Sequence, residues 1–384
     1  MRFCVVGAGF SGAVVARELA QQGHSITVID ERDHVGGNCH TDRDARTGVM
    51  VHTYGPHIFH TDSQRVWDYM SSFAQMMPFT HRVKAISGGR AYSLPINLLT
   101  INQFFGKTLS PREAQDYLAG KARKDIVDPG SFEEQALSMI GEDLYRAFFH
   151  GYTFKQWGIA PTLLPASVLK RLPVRFNYDD SYFSHRFQGM PKNGYTPIFD
   201  RILDHSGIEV HLRQRYEDWQ AGDFDHTFYS GPLDRFFRYS LGRLRYRTLD
   251  FERFYDRGDF QGTAVLNYCD QDIPFTRITE HKHFAPWESA AFDGTVCYRE
   301  FSRECEAGDT PYYPIRQLAE KRLLSDYVAL ANGASRMSFV GRLGTYRYLD
   351  MDVTIGEALA AAEQTLRALH GGGSIPTFFI DPLA

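Results

Sequence analysis

A glycine-rich turn stands between an apolar run and a helix-forming stretch near the start of the chain. Phe3-Cys4-Val5-Val6 is typical of a buried parallel strand, and Gly7-Ala8-Gly9-Phe10-Ser11-Gly12 follows it as G-x-G-x-x-G. In such a turn Gly7 allows the tight bend, Gly9 lets a pyrophosphate approach the backbone, and Gly12 lets the helix pack on the strand. The arrangement predicts a parallel α/β sheet that binds a dinucleotide at a helix N-terminus.

The segment after the first helix indicates which dinucleotide is bound. Gly23 ends the helix, and a second strand predicted at Ser25–Asp30 places Asp30 to accept a hydrogen bond from a ribose hydroxyl. The pair Gly36-Gly37 then follows, and an ordinary Gly-Gly turn is one interpretation of it. The spacing also resembles the E-x(5)-GG segment of glutathione-reductase-type flavoproteins, which implies FAD. Glu31, Gly37 and Asn38 are further cofactor-binding candidates in this segment.

Charge and cysteine content exclude several classes of protein. With 42 Lys+Arg against 46 Asp+Glu the formal charge is −4, which argues against a nucleic-acid-binding domain. The five cysteines form no CxxC pair, so neither a disulfide framework nor a zinc site is expected. No apolar run approaches the roughly 18 residues of a membrane span, and the first residues form a strand rather than a signal peptide. We therefore expect a soluble cytoplasmic protein without membrane insertion.

Periodic segments organise the rest of the chain. Helical spacing predicts helices over Ser63–Phe73 and most of 100–151, where Ser131 and Glu134 match a capping box. Two glycines between VKAIS and RAYSL predict a hairpin. The other predicted elements are strands in GTAVLNY, PFTRITEH and GTVCYREF, a helix capped by Thr196 and ending before Gly207, strands at Asp225–Pro232 and Met337–Val340, and a helix capped by Asp352 and running to about Leu369.

These elements predict an α/β fold with mixed α+β inserts. A Rossmann-type FAD-binding domain of the glutathione-reductase kind carries a helical insert and an antiparallel sheet insert. The expected boundaries are 1–80, about 206–232 and 314–370 for the FAD-binding domain, about 98–165 for the helical insert, about 81–97, 172–205 and 233–313 for the sheet or substrate domain, and 371–384 for a peripheral tail.

The late helix suggests a role toward a flavin. In flavoproteins of this type such a helix points its N-terminus at the isoalloxazine ring, where its dipole favours an anionic reduced flavin. The alternative is a terminal helix that only packs on the sheet.

Aromatic and cationic residues mark a candidate ligand site. The segment Phe148–Trp157 concentrates aromatic rings around Tyr152, which serve either as core or as a platform for a flat base. Arg277 lies in an apolar strand and needs an anionic partner, either a pyrophosphate or Glu280. The arginines of Lys170–Arg175 fit a solvated basic loop equally well, and the histidines of YGPHIFHT have no third metal ligand at suitable spacing.

The chain contains, in this order, the segments GAGFSGAV, DERDHVGGN, YGPHIFHTD, GYTFKQWG, KRLPVRFNYDDSYF, TRITEHKHF, PYYPI and GRLGTYRYLDMD. Together these segments closely resemble the bacterial UDP-galactopyranose mutase family. The resemblance covers nearly the whole chain apart from the last dozen residues. It implies an isomerase that interconverts UDP-galactopyranose and UDP-galactofuranose without net redox, although it requires reduced FAD. Flavin N5 would attack the anomeric carbon, displace UDP and form a sugar–flavin adduct. A cytoplasmic homo-oligomer, a dimer or larger, serving cell-surface polysaccharide biosynthesis is also implied.

The same resemblance assigns roles to individual residues. Arg171, on a closing loop, and Arg277 would hold the pyrophosphate from opposite sides. Phe148, Tyr152, Thr153, Trp157 and Asn267 would form the uridine end. The remaining assignments are Tyr182, Tyr313 and Tyr348 to the phosphates and galactose, Asp350 to the substrate, Arg342 to the flavin edge, and His57, His60 and Met351 beside the flavin.

Two other classes of function compete with this interpretation. A flavin oxidase would share the nucleotide fold but perform net redox, and a diphosphate-sized arginine clamp is hard to explain for an amine substrate. A non-enzymatic FAD-binding protein would not need Arg171, Arg277 and the tyrosines together.

Overall fold

A computed structural model describes residues 1–166, 169, 174–219, 224–315 and 318–384. The strands in chain order are β1 (Arg2–Val6), β2 (Ser25–Asp30), β3 (Thr41–Arg43), β4 (Met50–His52), β5 (Phe59–Thr61), β6 (Met76–Pro78), β7 (Val83–Ser87), β8 (Arg90–Leu94), β9 (Phe187–Pro191), β10 (Ile208–Leu212), β11 (His226–Tyr229), β12 (Tyr246–Arg257), β13 (Val265–Tyr268), β14 (Arg277–Glu280), β15 (Gly294–Glu304), β16 (Tyr313–Pro314) and β17 (Met337–Phe339).

The α-helices in chain order are α1 (Phe10–Gln21), α2 (Gln64–Phe73), α3 (Leu98–Phe105), α4 (Pro111–Lys121), α5 (Phe132–Tyr145), α6 (Gly151–Trp157), α7 (Thr196–Leu203), α8 (Leu233–Phe236), α9 (Leu318–Asn332), α10 (Gly341–Gly344) and α11 (Met351–His370). In the described part of the chain no helix combines the length and apolar character that a bilayer span requires.

Five parallel strands form the sheet that carries the glycine-rich turn. Their order is β10-β2-β1-β11-β17, and every neighbouring pair runs parallel. Helix α1 packs against α7 and α11, and apolar residues of all three helices, such as Val14, Ile198 and Leu359, share one buried core. The predicted strand–turn–helix–strand unit and the strand expected at Asp225–Pro232 are confirmed.

A second sheet of seven strands, in the order β16-β12-β15-β14-β13-β7-β8, lies in the insert region. Only the β13–β7 pair is parallel, and the other neighbouring pairs are antiparallel. The predicted hairpin joins β7 to β8, because Gly88 and Gly89 supply the two positive φ angles that a tight turn needs. The sequence analysis missed β12, the long partner of β15, because its many charged residues hide the apolar alternation.

The helical insert consists of α3 to α6. Ser131 caps α5 and exchanges hydrogen bonds with Glu134, which confirms the predicted capping box. The face of Leu137, Ile140, Leu144 and Phe148 is buried. A π-helical turn at Arg146–His150 then leads into α6.

The structure corrects three details of the sequence analysis. Thr196 does not cap α7, because its hydroxyl donates a hydrogen bond to the Thr41 carbonyl oxygen at 2.7 Å. Helix α7 packs on α1, although the sequence placed it in the sheet domain. Asp350, not Asp352, is the N-cap residue of α11.

The C-terminal tail is not peripheral. Phe339 donates its N–H to the Thr377 carbonyl oxygen at 2.8 Å, and the Phe378 ring stacks on the Phe339 ring. The tail therefore covers the edge of the five-stranded sheet at β17 with a backbone hydrogen bond and a stacked ring.

Candidate active site

Two glycine turns lie against each other at the end of the parallel sheet. Gly7 has a φ of +102°, and a Cβ added to Gly12 would lie 1.9 Å from the Gly7 carbonyl oxygen. A Cβ added to Gly37 would lie 3.3 Å from the Gly9 Cα. Helix α1 has no capping side chain and no acidic residue in its first turn. Backbone N–H groups therefore line a concave surface that suits an anionic group.

The acidic pair at the end of β2 is tightly engaged. Asp30 accepts hydrogen bonds from the N–H groups of Ala8 at 2.8 Å and Arg32 at 2.9 Å, so it braces the glycine turn and keeps further lone pairs for a hydroxyl. Glu31 forms a two-point ion pair with Arg235 at 2.9 Å, and this partner lowers the pKa of Glu31. Glu31 therefore already has a strong partner within the protein.

The first cavity, with a volume of about 890 Å³, runs along these turns. Its size is within the range of cofactor pockets. Arg32, which the sequence analysis did not select, lines it and donates to Asn38 at 2.8 Å, while its Nη1 atom is buried without a hydrogen-bond partner. An unsatisfied guanidinium nitrogen in this wall favours an anionic or hydroxyl-bearing ligand.

A second cavity of about 350 Å³ opens beside the first. The two cavities share Tyr54, His57, Arg342 and Met351, so a ligand in one can meet a ligand in the other at these residues. Eleven residues predicted as site residues also line the second cavity, namely His60, Phe148, Tyr152, Thr153, Trp157, Tyr182, Asn267, Arg277, Tyr313, Tyr348 and Asp350.

A fixed cation stands where the cavities meet. Arg342 donates to the backbone carbonyl oxygens of Tyr312 and Leu349, and its guanidinium lies 5.0 Å from the centre of the Tyr348 ring. His57 is hydrogen-bonded through Nδ1 to the Gly55 carbonyl oxygen, and burial, with a smaller effect of Arg342, lowers its pKa to about 4. The junction therefore holds one positive charge beside a neutral imidazole at neutral pH.

The start of α11 faces the same junction. Asp350 is its N-cap but makes no side-chain capping hydrogen bond, and Met351 lines both cavities. The free N–H groups at this helix end give a partial positive charge that favours an anionic group nearby.

Arg277 is paired, but not with the residue considered from the sequence. Its Nε lies 3.1 Å from Glu300 Oε1 on the neighbouring strand β15, and Glu300 is buried. Glu280 instead accepts from the N–H groups of Phe260 and Gln261. Glu300 thus orients Arg277 in the cavity wall. The other arginine of the expected clamp, Arg171, lies outside the described residues.

Aromatic side chains line the cavity between these cations. The rings of Tyr313 and Tyr348 stack at 5.7 Å, and the Trp157 ring lies 6.3 Å from that of Tyr313. Burial raises the pKa values of Tyr152, Tyr182 and Tyr313. These phenols remain protonated at neutral pH and can donate hydrogen bonds to phosphate oxygens.

Two amide oxygens in the cavity wall are unsatisfied. Asn267 Oδ1 and Gln156 Oε1 are both buried without a hydrogen-bond partner. Buried polar atoms of this kind normally have a partner, so a ligand that donates N–H or O–H groups is indicated. Gln156 was missed from the sequence although it stands next to the selected Trp157.

Histidines line the side nearest the junction. His60 stacks on Phe183 at 3.7 Å, and burial lowers its pKa against the opposing effect of Asp350. His81, also missed from the sequence, is buried in the wall with a pKa lowered to about 3 by burial and, to a lesser degree, by Arg277. Both imidazoles therefore favour the neutral form.

Outside both cavities, Asp259, Glu280 and His283 bring possible metal-ligand atoms within 4.8 Å of one another. The Lys282 ammonium lies 2.6 Å from the Asp259 carboxylate and balances its charge.

Comparisons with known proteins agree with this geometry. A family model described as UDP-galactopyranose mutase matches residues 147–348, and one described as an NAD(P)-binding Rossmann-like domain matches residues 5–73. A probable UDP-galactopyranose mutase of Klebsiella pneumoniae is 58% identical over 98% of this chain and 97% of its own length. A dTDP-fucopyranose mutase of Escherichia coli is 51% identical over 94% of this chain and 97% of its own.

A crystal structure of reduced UDP-galactopyranose mutase matches the fold with a TM-score of 0.76 at 17% identity, over 95% of both chains. The glycine cradle of the first cavity lies in the Rossmann-like region, and most residues that line the second cavity lie in the segment that the mutase model covers. The chain therefore belongs to the UDP-galactopyranose mutase family and is an isomerase of that family.

Proposed function

We propose that the protein interconverts UDP-galactopyranose and UDP-galactofuranose on reduced FAD, with no net redox. The observation that supports this most directly is the meeting of two cavities at Tyr54, His57, Arg342 and Met351. One cavity has the backbone cradle of a dinucleotide site, and the other has cations, phenols and unsatisfied amide oxygens.

The first cavity fits FAD. Gly7, Gly9 and Gly37 would hold the pyrophosphate, Gly12 lets α1 pack against the turn, and the segment from Asp30 to Asn38 would hold the ribose. When bound and reduced, FAD would supply a nucleophilic nitrogen, N5, toward the anomeric carbon of the sugar.

The start of α11 supports the reduced state. Its free N–H groups and Arg342 place positive potential at the junction, and positive potential stabilises an anionic reduced flavin relative to a neutral one. Neutral His57 adds no competing charge there. His60, with its lowered pKa, can accept or relay the proton that moves when the sugar ring opens, with Asp350 beside it.

The second cavity fits a nucleoside diphosphate sugar. Arg277 and Arg171 would offset the charge on the leaving UDP. Protonated Tyr182 and Tyr313, together with the Tyr348 hydroxyl, would donate to phosphate and sugar oxygens. The base would lie on Tyr152 between Phe148, Thr153 and Trp157, where the amide oxygens of Asn267 and Gln156 can accept from N–H or ribose hydroxyl groups.

Turnover under anaerobic conditions tests the proposal. Dithionite-reduced protein incubated with UDP-galactofuranose should give UDP-galactopyranose, and the oxidised protein should give none. Conversion by the oxidised form alone would contradict the proposal. A parallel reaction with dTDP-fucopyranose decides between the sugar nucleotides of the two relatives, and faster turnover of that substrate would transfer the proposal to it.

An oxidase is the rival function. An L-amino acid oxidase of Lachesis muta is 23% identical over 52% of this chain. Oxygen consumption with an amine or amino acid, measured with an electrode, would favour the oxidase. Arg277 and the phenols of Tyr182 and Tyr313 in the wall of the second cavity suit an anionic sugar nucleotide, which favours the mutase.

We further propose a cytoplasmic homo-oligomer that supplies galactofuranose for cell-surface polysaccharide. Size-exclusion chromatography coupled to light scattering should give a mass at least twice the 43.9 kDa of one chain.

A further inference from the structure

One lysine next to the aromatic platform is enclosed by backbone oxygens. Lys155 Nζ, on α6, lies 2.8 to 3.0 Å from the carbonyl oxygens of Tyr268, Asp270, Ile273 and Phe275. Tyr268 is the last residue of β13, and the other three belong to the connection between β13 and β14. Burial lowers the pKa of Lys155, and the four carbonyl dipoles that surround its ammonium stabilise the charged form. Neither the sequence patterns nor the proposed reaction gave this lysine a role.

The lysine joins two elements that bear different parts of the ligand site. Helix α6 carries Tyr152, Thr153 and Trp157. The connection that its ammonium holds follows Asn267 in β13 and precedes Arg277 in β14. The contact that Lys155 makes therefore joins the helix that carries the aromatic platform to the connection that leads to Arg277.

Close backbone approach completes this contact at the start of the helix. A Cβ added to Gly151 would lie 2.4 Å from the Cys269 carbonyl oxygen, so the helix touches the connection where only glycine fits. At the other end Arg247 of β12 donates to the Gln156 carbonyl oxygen at 3.1 Å, and a Cβ on Gly158 would lie 2.4 Å from its guanidinium. Arg247 is buried, so it forms a second internal anchor.

We propose that Lys155 is a positioning residue that sets the distance between the nucleoside platform on α6 and the Arg277 end of the pyrophosphate site. This inference rests on the proposed function, because it assumes a ligand that spans both elements. A ligand of this kind binds tightly only when its two subsites are held at the correct separation, and displacement by about 1 Å can cost on the order of 100-fold.

The expected signature is a loss of substrate affinity with flavin binding intact. Lys155→Met leaves the four carbonyl oxygens without their donor, so the β13–β14 connection can move relative to α6. We expect the KM for UDP-galactofuranose and the dissociation constant of UDP to rise roughly 10- to 100-fold. The FAD content should stay at the wild-type level, because the glycine cradle lies in the other sheet, and kcat at saturation should change much less than KM.

Lys282→Met is a matched control. Lys282 is also a largely buried lysine of this region, and its Nζ bonds to the Gly258 carbonyl oxygen at 2.7 Å and to Asp259. It lines neither cavity. The control should lower the melting temperature without changing KM or UDP binding. Equal increases of KM in both variants would overturn the proposal, because the effect would then be general destabilisation.

Lys155→Gln keeps the proposal testable if the methionine variant does not fold. Its side-chain amide can donate two hydrogen bonds, so its KM should fall between those of the wild type and Lys155→Met. A KM and a UDP dissociation constant equal to wild type in a folded Lys155 variant would overturn the proposal. UDP titration of the oxidised protein keeps the two hypotheses separate, since it reports on Lys155 even if the wild type fails to turn over UDP-galactofuranose.

Discussion

The two cavities are built in different ways from the same chain. The glycine cradle of the first comes from one short segment, residues 7–37, and it presents mostly backbone groups. The second takes side chains from positions as far apart as His60 and Asp350, and several of them are held by partners on other strands. The cofactor end therefore depends on local backbone shape, whereas the substrate end depends on long-range register.

The largest effect should follow from breaking the local shape. In Gly12→Val the new side chain would begin 1.9 Å from the Gly7 carbonyl oxygen, so the turn cannot keep its form. We expect FAD and turnover to be lost together, measured by flavin absorbance per protein and by anaerobic turnover. Gly120→Ala, in α4 with nothing within 4 Å of an added Cβ and no positive φ, is the control and should retain FAD. Full flavin content in Gly12→Val would show that the cradle is not the cofactor site.

A smaller and more selective effect should follow at the substrate end. Arg277→Ala removes the cation that would face the leaving UDP in the proposed reaction, and we expect turnover to fall by roughly 10²- to 10³-fold while FAD stays bound. Arg171→Ala should behave in the same way. Arg299→Ala, which removes a surface ion pair with Glu252 on the same sheet, should leave turnover unchanged.

Removal of Arg277 also leaves buried Glu300 without its cation. Arg277→Lys separates the two consequences, because it keeps the charge near Glu300 but loses the planar guanidinium. Intermediate turnover in this variant is expected, and unchanged activity in Arg277→Ala would remove the pyrophosphate contact from the proposal.

The most gradual effect is on stability in acid, where it builds up over several pH units. His81 has a folded-state pKa of about 3, below the roughly 6.5 of an unfolded histidine. Between these values the unfolded chain binds a proton that the folded chain does not. Stability should therefore fall as the pH drops from about 6.5 toward 3, by up to about 1.4 kcal/mol per pH unit for this residue.

Denaturant unfolding at several pH values measures this slope. His81→Asn should flatten it, because the group that gives this slope is then absent. An unchanged slope in His81→Asn would show that this imidazole is protonated in the folded protein.

The contrast between the cavities also explains what the sequence could predict. The first strand, the glycine turn and the acid at the end of β2 follow from local spacing, and all three lie as expected. Arg277 was recognised as needing an anion, but its partner Glu300 was not, because cross-strand register cannot be read from a single segment. The sequence could not predict that Gln156 Oε1 lacks a hydrogen-bond partner, because this depends on how α6 packs on the sheet.

The path of the chain has a consequence for biosynthesis. The first cavity opens with the glycine turn near the N-terminus, but its wall is completed by β11 and by Met351, and the tail at Phe378 is needed to cover the edge strand β17. A nascent chain that contains only the glycine turn therefore lacks the residues that line the opposite side of the cavity. We expect flavin binding to require α11, so stalled nascent chains that end before α11 should be colourless.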